Sequence, residues 1–296
     1  MLHIHESEVP HRGDLALITL CLQDAEEVRY LLEQLKNHGH FYQQVISERL
    51  NVSVAVKEGR EREGIEFLKG QVKKIILEKN RIAYWTRVLA RDFFFLDPLE
   101  RRQIIEMAEM ILKGKRKDVP VKVALSEEEK LIEETLDEWL ANRQPLSLKA
   151  LAAFRLKDYF KKLDLLIETA IDEYKLEQEY QSFIQCLREY LNGRTPKMEK
   201  IYLSHDEGFR LFDGEGRELK RSDLQKLLDR KLLVNFPVYV DSMILAPLLS
   251  IAPERILLFT ADPEQGIVQT IKSIFEEKLT VYPLSAFLLL KGKDFT

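Results

Sequence analysis

Histidine separated from histidine by a single residue occurs twice early in the chain, at His3-Ile4-His5 and His38-Gly39-His40. On a strand, that spacing points both imidazoles to one face. Two such pairs could offer four nitrogen ligands to zinc. A metal-dependent hydrolase would also need a companion acid at a recognisable spacing, and no His-Glu-x-x-His occurs. The competing explanation is local. His38-Gly39-His40 falls at the expected end of a helix, where histidine favours the negative dipole end and Gly39 suits a left-handed terminal residue. His3, His5, His38 and His40 are therefore the candidate metal set, and the balance is against a cofactor and against catalysis.

Two other clusters carry charge in a pattern. Lys113, Lys115, Arg116 and Lys117 stand together in KGKRK and could meet a phosphate backbone. They lack the aromatic interleaving of a single-strand binder and any helix-turn-helix glycine pattern, so a solvated linker explains them as well. FRLKDY brackets Arg155 and Asp158 with Phe154 and Tyr159. At helical spacing Arg155 shares a face with both Asp158 and Tyr159, which reads as an ion pair beside aromatic core anchors. If the face is exposed, Phe154, Arg155, Asp158 and Tyr159 are the first candidates for contact with a protein partner.

The remaining motifs dissolve into turn and cap chemistry. In HDEGFRLFDGEG, the acids lack calcium-loop spacing, and Asp213, Gly214 and Gly216 are turn residues. Asp262 before Pro263 reads as a helix cap. No glycine-rich dinucleotide or phosphate loop and no Gly-x-Ser-x-Gly is present. Cys21 and Cys186 lie far apart in apolar settings, with no CxxC, as expected of reduced thiols.

Composition bounds the rest. Of 296 residues, 45% are apolar and 32% charged, with a formal net charge of −4. That is a globular balance, and it excludes nucleic-acid binding driven by whole-chain charge. The start lacks the cationic and apolar regions of a secretory signal. Residues 232–253 have the length of a membrane span, but three prolines and a central Asp241 argue for a buried strand followed by a short buried helix. The expectation is a cytoplasmic protein without membrane insertion.

The elements that would position these residues follow from hydrophobic period. Leu15 to Leu22 is a continuous apolar run, expected as a strand buried on both faces. Asp24 caps a helix carrying Val28, Leu31, Leu32 and Leu35 on one stripe. Val52, Val54 and Val56 alternate as a strand. The first and last of these predict a parallel pair with a crossover, provided that FYQQVI adds no strand between them. From Glu61, Ile65, Leu68, Val72, Ile75, Ile76, Ile82, Trp85 and Leu89 describe a long amphipathic helix. Asp97-Pro98 starts the next, which stops at Gly114. Ser126 opens another with Glu129 at the capping-box position. From Phe154 to Leu191 neither proline nor glycine interrupts, predicting one helix on the order of 55 Å long with FRLKDY on its first turns. KIYLS, GFRLFD and RELKR then read as three short strands, and RILLFT, a helix and LTVYPL close the chain.

The fold expected is α+β, or mixed α/β. It has an N-terminal β-α-β unit, a long central helical segment, and a C-terminal three-stranded meander followed by β-α-β. Its divisions are an α/β unit at 1–60, a helical domain or insertion at 61–195, and an α/β unit at 196–296 that could share one sheet with the first.

Three stretches also resemble a known family. AAFRLKDYFKKLDLLIETAIDEYKLEQEYQSFIQCLREYL, ILEKNRIAYWTRVLARDFFFLDPLERRQIIEMAEMIL and DSMILAPLLSIAPERILLF are similar to the YtxC-like family of sporulation proteins from endospore-forming bacteria. The likeness runs from about Glu61 onward, and FRLKDY is its sharpest element. It implies a cytoplasmic, sporulation-associated protein and transfers no catalytic residues. The leading expectation is action through a protein partner or self-association. The alternatives are nucleic-acid binding through the basic linker and a metal-dependent enzyme using the early histidines.

Overall fold

A computed structural model describes residues 17–116, 118–119, 123–142, 144–229 and 244–291. The chain forms two compact units, Met1–Lys175 and Leu176–Thr296. The α+β class is as expected, with helices predominating and two mixed four-stranded sheets.

The first sheet has the order β2-β3-β1-β4. Strand β1 (Ile18–Cys21) leads into helix α1 (Ala25–Asn37), capped as expected by Asp24, whose carboxylate accepts from the amides of Glu26 and Glu27 at 2.8 and 2.9 Å. The terminus differs from expectation. His38 caps the helix and Gly39 opens a 3-10 turn, without the left-handed backbone foreseen for it. FYQQVI does add a strand. β2 (Tyr42–Glu48) forms a hairpin with β3 (Asn51–Val56), so β3 runs antiparallel to β1 and the parallel pair is not formed. Nor is β1 buried on both faces. Ile18 and Leu20 lie in the core beside Val52 and Val54, while on the other face the Thr19 and Ser53 hydroxyls meet at 2.9 Å.

The long helix expected from Glu61 is α2 (Glu61–Lys74) and α3 (Asn80–Arg91) joined by a π-helical turn, Ile75–Lys79. A π turn holds one residue more than an α turn, so the faces after it lag by roughly 100°. The consequence corrects the sequence reading: Arg81 is buried, 8% exposed, and Ile82 is 45% exposed. Helix α4 (Pro98–Leu112) begins with Asp97 as cap and Pro98 in its first turn. It ends in left-handed Gly114, with Gly114 N–H donating to Ile111 and Lys115 N–H to Met110, a Schellman closure. Helix α5 (Ser126–Asn142) buries Ile132, Leu136 and Trp139. Strand β4 (Leu146–Ser147) pairs parallel with β1, and helix α6 (Leu148–Phe154) follows.

FRLKDY is not the first turns of one long helix. Arg155 and Leu156 N–H both donate to Leu151 C=O, closing α6, and helix α7 (Lys157–Leu191) starts afresh. The break turns Leu156 into the core along with Leu151 and Tyr159. Leu163, Leu166, Ile167 and Ala170 of α7 complete the first core.

In the second unit the sheet order is β6-β5-β7-β8. Strands β5 (Lys200–His205), β7 (Arg255–Thr260) and β8 (Leu279–Pro283) are parallel, and β6 (Phe209–Phe212) is antiparallel to β5. The third meander strand shrinks to a bridge between Phe212 and Glu218. Helix α8 (Arg221–Leu227) follows. The strand expected before the short buried helix falls on residues 230–243, outside those described, and the helix is α9 (Leu245–Ile251). Helix α10 (Gly266–Phe275) crosses from β7 to β8, but Asp262 does not cap it. Gln265 holds the cap position, and the Asp262 carboxylate accepts from Glu264 N–H. One sheet face packs with Ile184 and Leu187 of α7, α9 and α10. The other gathers Tyr202, Phe212, Phe259 and Phe287, the last from helix α11 (Leu284–Lys291).

Close approach of α2 to the first sheet depends on Gly64. A Cβ there would stand 2.6 Å from Val56 Cγ1 and 3.4 Å from Phe41 Cβ. Gly64→Ala is expected to cost about 1–3 kcal/mol in urea unfolding, and adding Val56→Ala should recover part of the overpacking. An unchanged midpoint would show that the helix can move away freely.

Candidate interaction surface

The corner between α3 and α4 presents an exposed apolar surface beside a cleft. Its sequence is Phe93-Phe94-Phe95-Leu96-Asp97-Pro98-Leu99. Phe95 N–H donates to Leu89 C=O at 2.9 Å, and the Phe95 ring meets Tyr174 edge-on at 6.3 Å, so this phenylalanine anchors the turn. Arg101 Nη1 donates to the carbonyls of Phe95 and Leu96 at 3.0 Å each and fixes the corner from the α4 side. The neighbours of the anchor face solvent: Phe94 is 77%, Leu96 74% and Leu99 68% exposed, with Phe93 also exposed. Phe94 has φ +59°, a left-handed conformation that costs an L-residue roughly 1–2 kcal/mol.

A cleft of about 680 Å³ continues from this corner between α3 and α4. Ile82, Ile105 and Met110 form its apolar floor, and Arg101, Arg102, Lys113 and Lys115 stand around it against Glu106 and Glu109. Beneath, Arg81 Nη2 and Nε donate to Glu109 Oε1 at 2.6 and 3.1 Å, and Lys113 pairs with Glu109 at 2.8 Å. Burial alone would push the Glu109 carboxyl up. The hydrogen bond from Lys113 and the Arg81 guanidinium outweigh it and hold the pKa below the usual carboxylate range. Tyr159, 1% exposed, lies in the same core, and burial raises its phenol to about 12 despite the opposing charge of Arg81.

The residues singled out in the sequence are dispersed. FRLKDY divides: Tyr159 is core, while Phe154 is 79% exposed and lines a separate cleft of about 420 Å³ with Trp139, Leu151 and Arg155. The foreseen Arg155–Asp158 pair is not made. Arg155 pairs with Glu138 at 3.0 Å and Asp158 with Lys161 at 2.8 Å, because the helix break separates the first two. In the basic cluster, Lys113 pairs with Glu109, and Arg116 pairs with Asp118 and Glu173 at 2.7 Å each. Lys115 is exposed, and Lys117 lies outside the described residues.

His3 and His5 also lie outside them. His38 binds Gln34 C=O through Nδ1 at 3.1 Å and packs on Phe67, while His40 packs on Phe41. Among the described residues no group of three or more His, Cys, Asp or Glu side chains is placed to hold a metal. No helix among them is long and apolar enough to cross a membrane.

Sequence reasoning passed over the exposed patch. Its signal was present in three consecutive phenylalanines and a leucine, of which one turn can bury only some. His205 begins HDEG, a stretch whose composition suggests an exposed turn. It is instead buried, with Nδ1 at 2.8 Å from Thr260 Oγ1 and its ring stacked on Phe209.

With this geometry in place, the comparisons give a consistent answer. The profile of the YtxC-like family matches residues 66–280. A Bacillus subtilis (strain 168) protein described as "Uncharacterized protein YtxC" is 34% identical over 246 residues, covering 79% of this chain and 86% of the relative. No solved structure matches.

Two outcomes test the site's internal logic. Glu109 has a depressed folded pKa, so its stabilisation is present above the unfolded value of about 4.3 and is lost as pH falls through the folded one. Glu109→Gln should lower stability at neutral pH and flatten the acid limb of a stability–pH profile. An unchanged limb would remove the charge cluster as its cause. Phe154→Ser should shift stability by no more than about 0.5 kcal/mol, whereas Tyr159→Ala should cost about 3–5 kcal/mol in urea unfolding. Equal effects would contradict the division of FRLKDY into surface and core.

Proposed function

The chain belongs to the YtxC-like family, and we propose that it works by binding a protein partner through the α3–α4 corner, as a cytoplasmic, sporulation-associated protein without catalytic activity of its own. The observation that carries this reading is the backbone of Phe94. A helix terminus of this conformation ordinarily takes glycine. Here it takes a phenylalanine that holds strain and points 77% of its surface outward. Local strain joined to an exposed apolar side chain is characteristic of surfaces kept for contact. Phe93, Leu96 and Leu99 extend the same patch, and Phe154 offers a second, smaller protrusion.

Nucleic-acid binding through Lys113, Lys115, Arg116 and Lys117 is the alternative, and it requires Lys113 and Arg116 to leave their carboxylates for phosphate. A metal-dependent activity would fall to His3, His5, His38 and His40.

The test compares wild-type bait with Phe94→Ser/Leu96→Ser in extracts of sporulating cells, after nuclease treatment and a high-salt wash. The expected result is a stoichiometric protein retained by the wild type and absent from the variant. Identical retention by both, or nucleic acid recovered in place of protein before nuclease, counts against the proposal. Phe94→Gly sharpens the comparison. It should lose the partner while keeping stability or gaining up to about 1 kcal/mol, since glycine relieves the left-handed strain.

A further inference from the structure

The cleft beside the corner and the outer face of α5 are complementary in charge and shape, and we propose that the α5 helix of a second copy of this chain docks in the α3–α4 cleft. The inference goes beyond the partner reading and does not rest on it.

Helix α5 carries seven carboxylates and one cation, Lys130. Four of the seven are taken up within the fold: Glu128 by Lys162, Glu133 by Lys73, Asp137 by Lys69 and Glu138 by Arg155. Of the other three, Glu129 is exposed on a different side of the helix, while Glu127 and Glu134 flank Leu131 in an exposed stripe at steps of four and three. Among the described residues only Lys130, at 3.7 Å from Glu134, answers that charge locally.

The cleft presents the opposite arrangement. Its floor holds the exposed side chains of Ile82 and Met110, and four cations around it face two carboxylates. Arg102, in an exposed i,i+4 pair with Glu106 at 2.8 Å, and Lys115 are well exposed, and neither supports the core. The α4 wall from Pro98 to Leu112 is on the order of 22 Å long and α5 on the order of 25 Å, with the stripe from Glu127 to Glu134 spanning about 10 Å of it at 1.5 Å per residue. The cleft is open to solvent, which suits a docked helix better than an enclosed small molecule. Leu131 would sit over Ile82 and Met110, with Glu127 and Glu134 toward Arg102 and Lys115.

Charge exchange tests the pairing directly. Sedimentation velocity of the full chain should show self-association that weakens at least tenfold on going from low to molar salt, as the Debye length falls from ~10 Å at 0.1 M to ~3 Å at 1 M. Arg102→Glu/Lys115→Glu and Glu127→Lys/Glu134→Lys should each sediment as monomers. An equimolar mixture of the two should recover the association, because both cross-contacts again join opposite charges. Should either reversal disturb folding by circular dichroism, the neutral Arg102→Gln/Lys115→Gln and Glu127→Gln/Glu134→Gln variants should each weaken association severalfold. A wild-type monomer at every salt and concentration overturns the proposal, as does association that persists in both variants or a mixture that stays monomeric. Capture by phosphatidylglycerol vesicles that is lost in the Arg102/Lys115 variant would give the cleft to a lipid surface instead. Residues 93–99 are unchanged in all of these proteins, so their outcome is separate from that of the partner experiment.

Discussion

A π-helical turn at Ile75–Lys79 sets what the following helix buries. Continued as an α-helix, the apolar stripe of α2 would carry Ile82 inward. The extra residue rotates α3, and Arg81 enters the core in its place. A buried guanidinium is tolerable only when its hydrogen bonds and charge are met. Glu109 of α4 meets them, with Nε and Nη2 both donating to one carboxylate oxygen, while Lys113 holds Glu109 from the far side. The Trp85 ring lies against the Arg81 guanidinium, and its own Nε1 donates to Leu163 C=O of α7. One shift in helical phase thus ties α3 to α4 and α7 through polar bonds with defined geometry. The same rotation leaves Ile82 outside as the floor of the cleft.

The corner shows a second conflict between local preference and the fold. Three phenylalanines follow α3, and the geometry of the turn can sink only one of them, Phe95, against Tyr174. Partial burial of a large aromatic is worth roughly 1–2 kcal/mol, comparable to the left-handed strain at Phe94. That accounts for the conformation and leaves the identity of residue 94 unexplained, since glycine would serve the turn better. Where a sequence departs from its own best local choice, the departure usually belongs to function.

The stripes of α1 and α2 are readable in the sequence because a 3.6-residue period survives any tertiary arrangement. The caps at Asp24 and Asp97 were readable because they act within three residues. What escaped was set by longer-range or subtler choices. The π turn leaves almost no local sign, so Arg81 and Ile82 changed places. FYQQVI could be loop or strand by composition, and only its pairing with β3 decided that β3 would run antiparallel to β1. FRLKDY has uninterrupted helix-forming residues, yet burying Leu151, Leu156 and Tyr159 together required a break that separated Arg155 from Asp158. The exposed corner was hidden for a related reason: a run of aromatic residues reads as core until the backbone shows that it cannot all be buried.

Net charge was the least informative of the sequence quantities. A value of −4 over 296 residues suggests an even surface, but the charges are segregated on the first unit. Helix α5 concentrates acids, and the end of α4 with the residues after it concentrates cations. Segregated charge of opposite sign on one chain has a different consequence from evenly mixed charge. It gives the molecule a complementary surface on every other copy of itself, at a range set by the Debye length. The apolar residues at the centre of each patch then determine whether an encounter becomes a contact, because charge alone at an exposed surface contributes little. Ile82 and Met110 in the cleft and Leu131 on α5 occupy those central positions, and Ile82 is there only because the π turn put Arg81 inside.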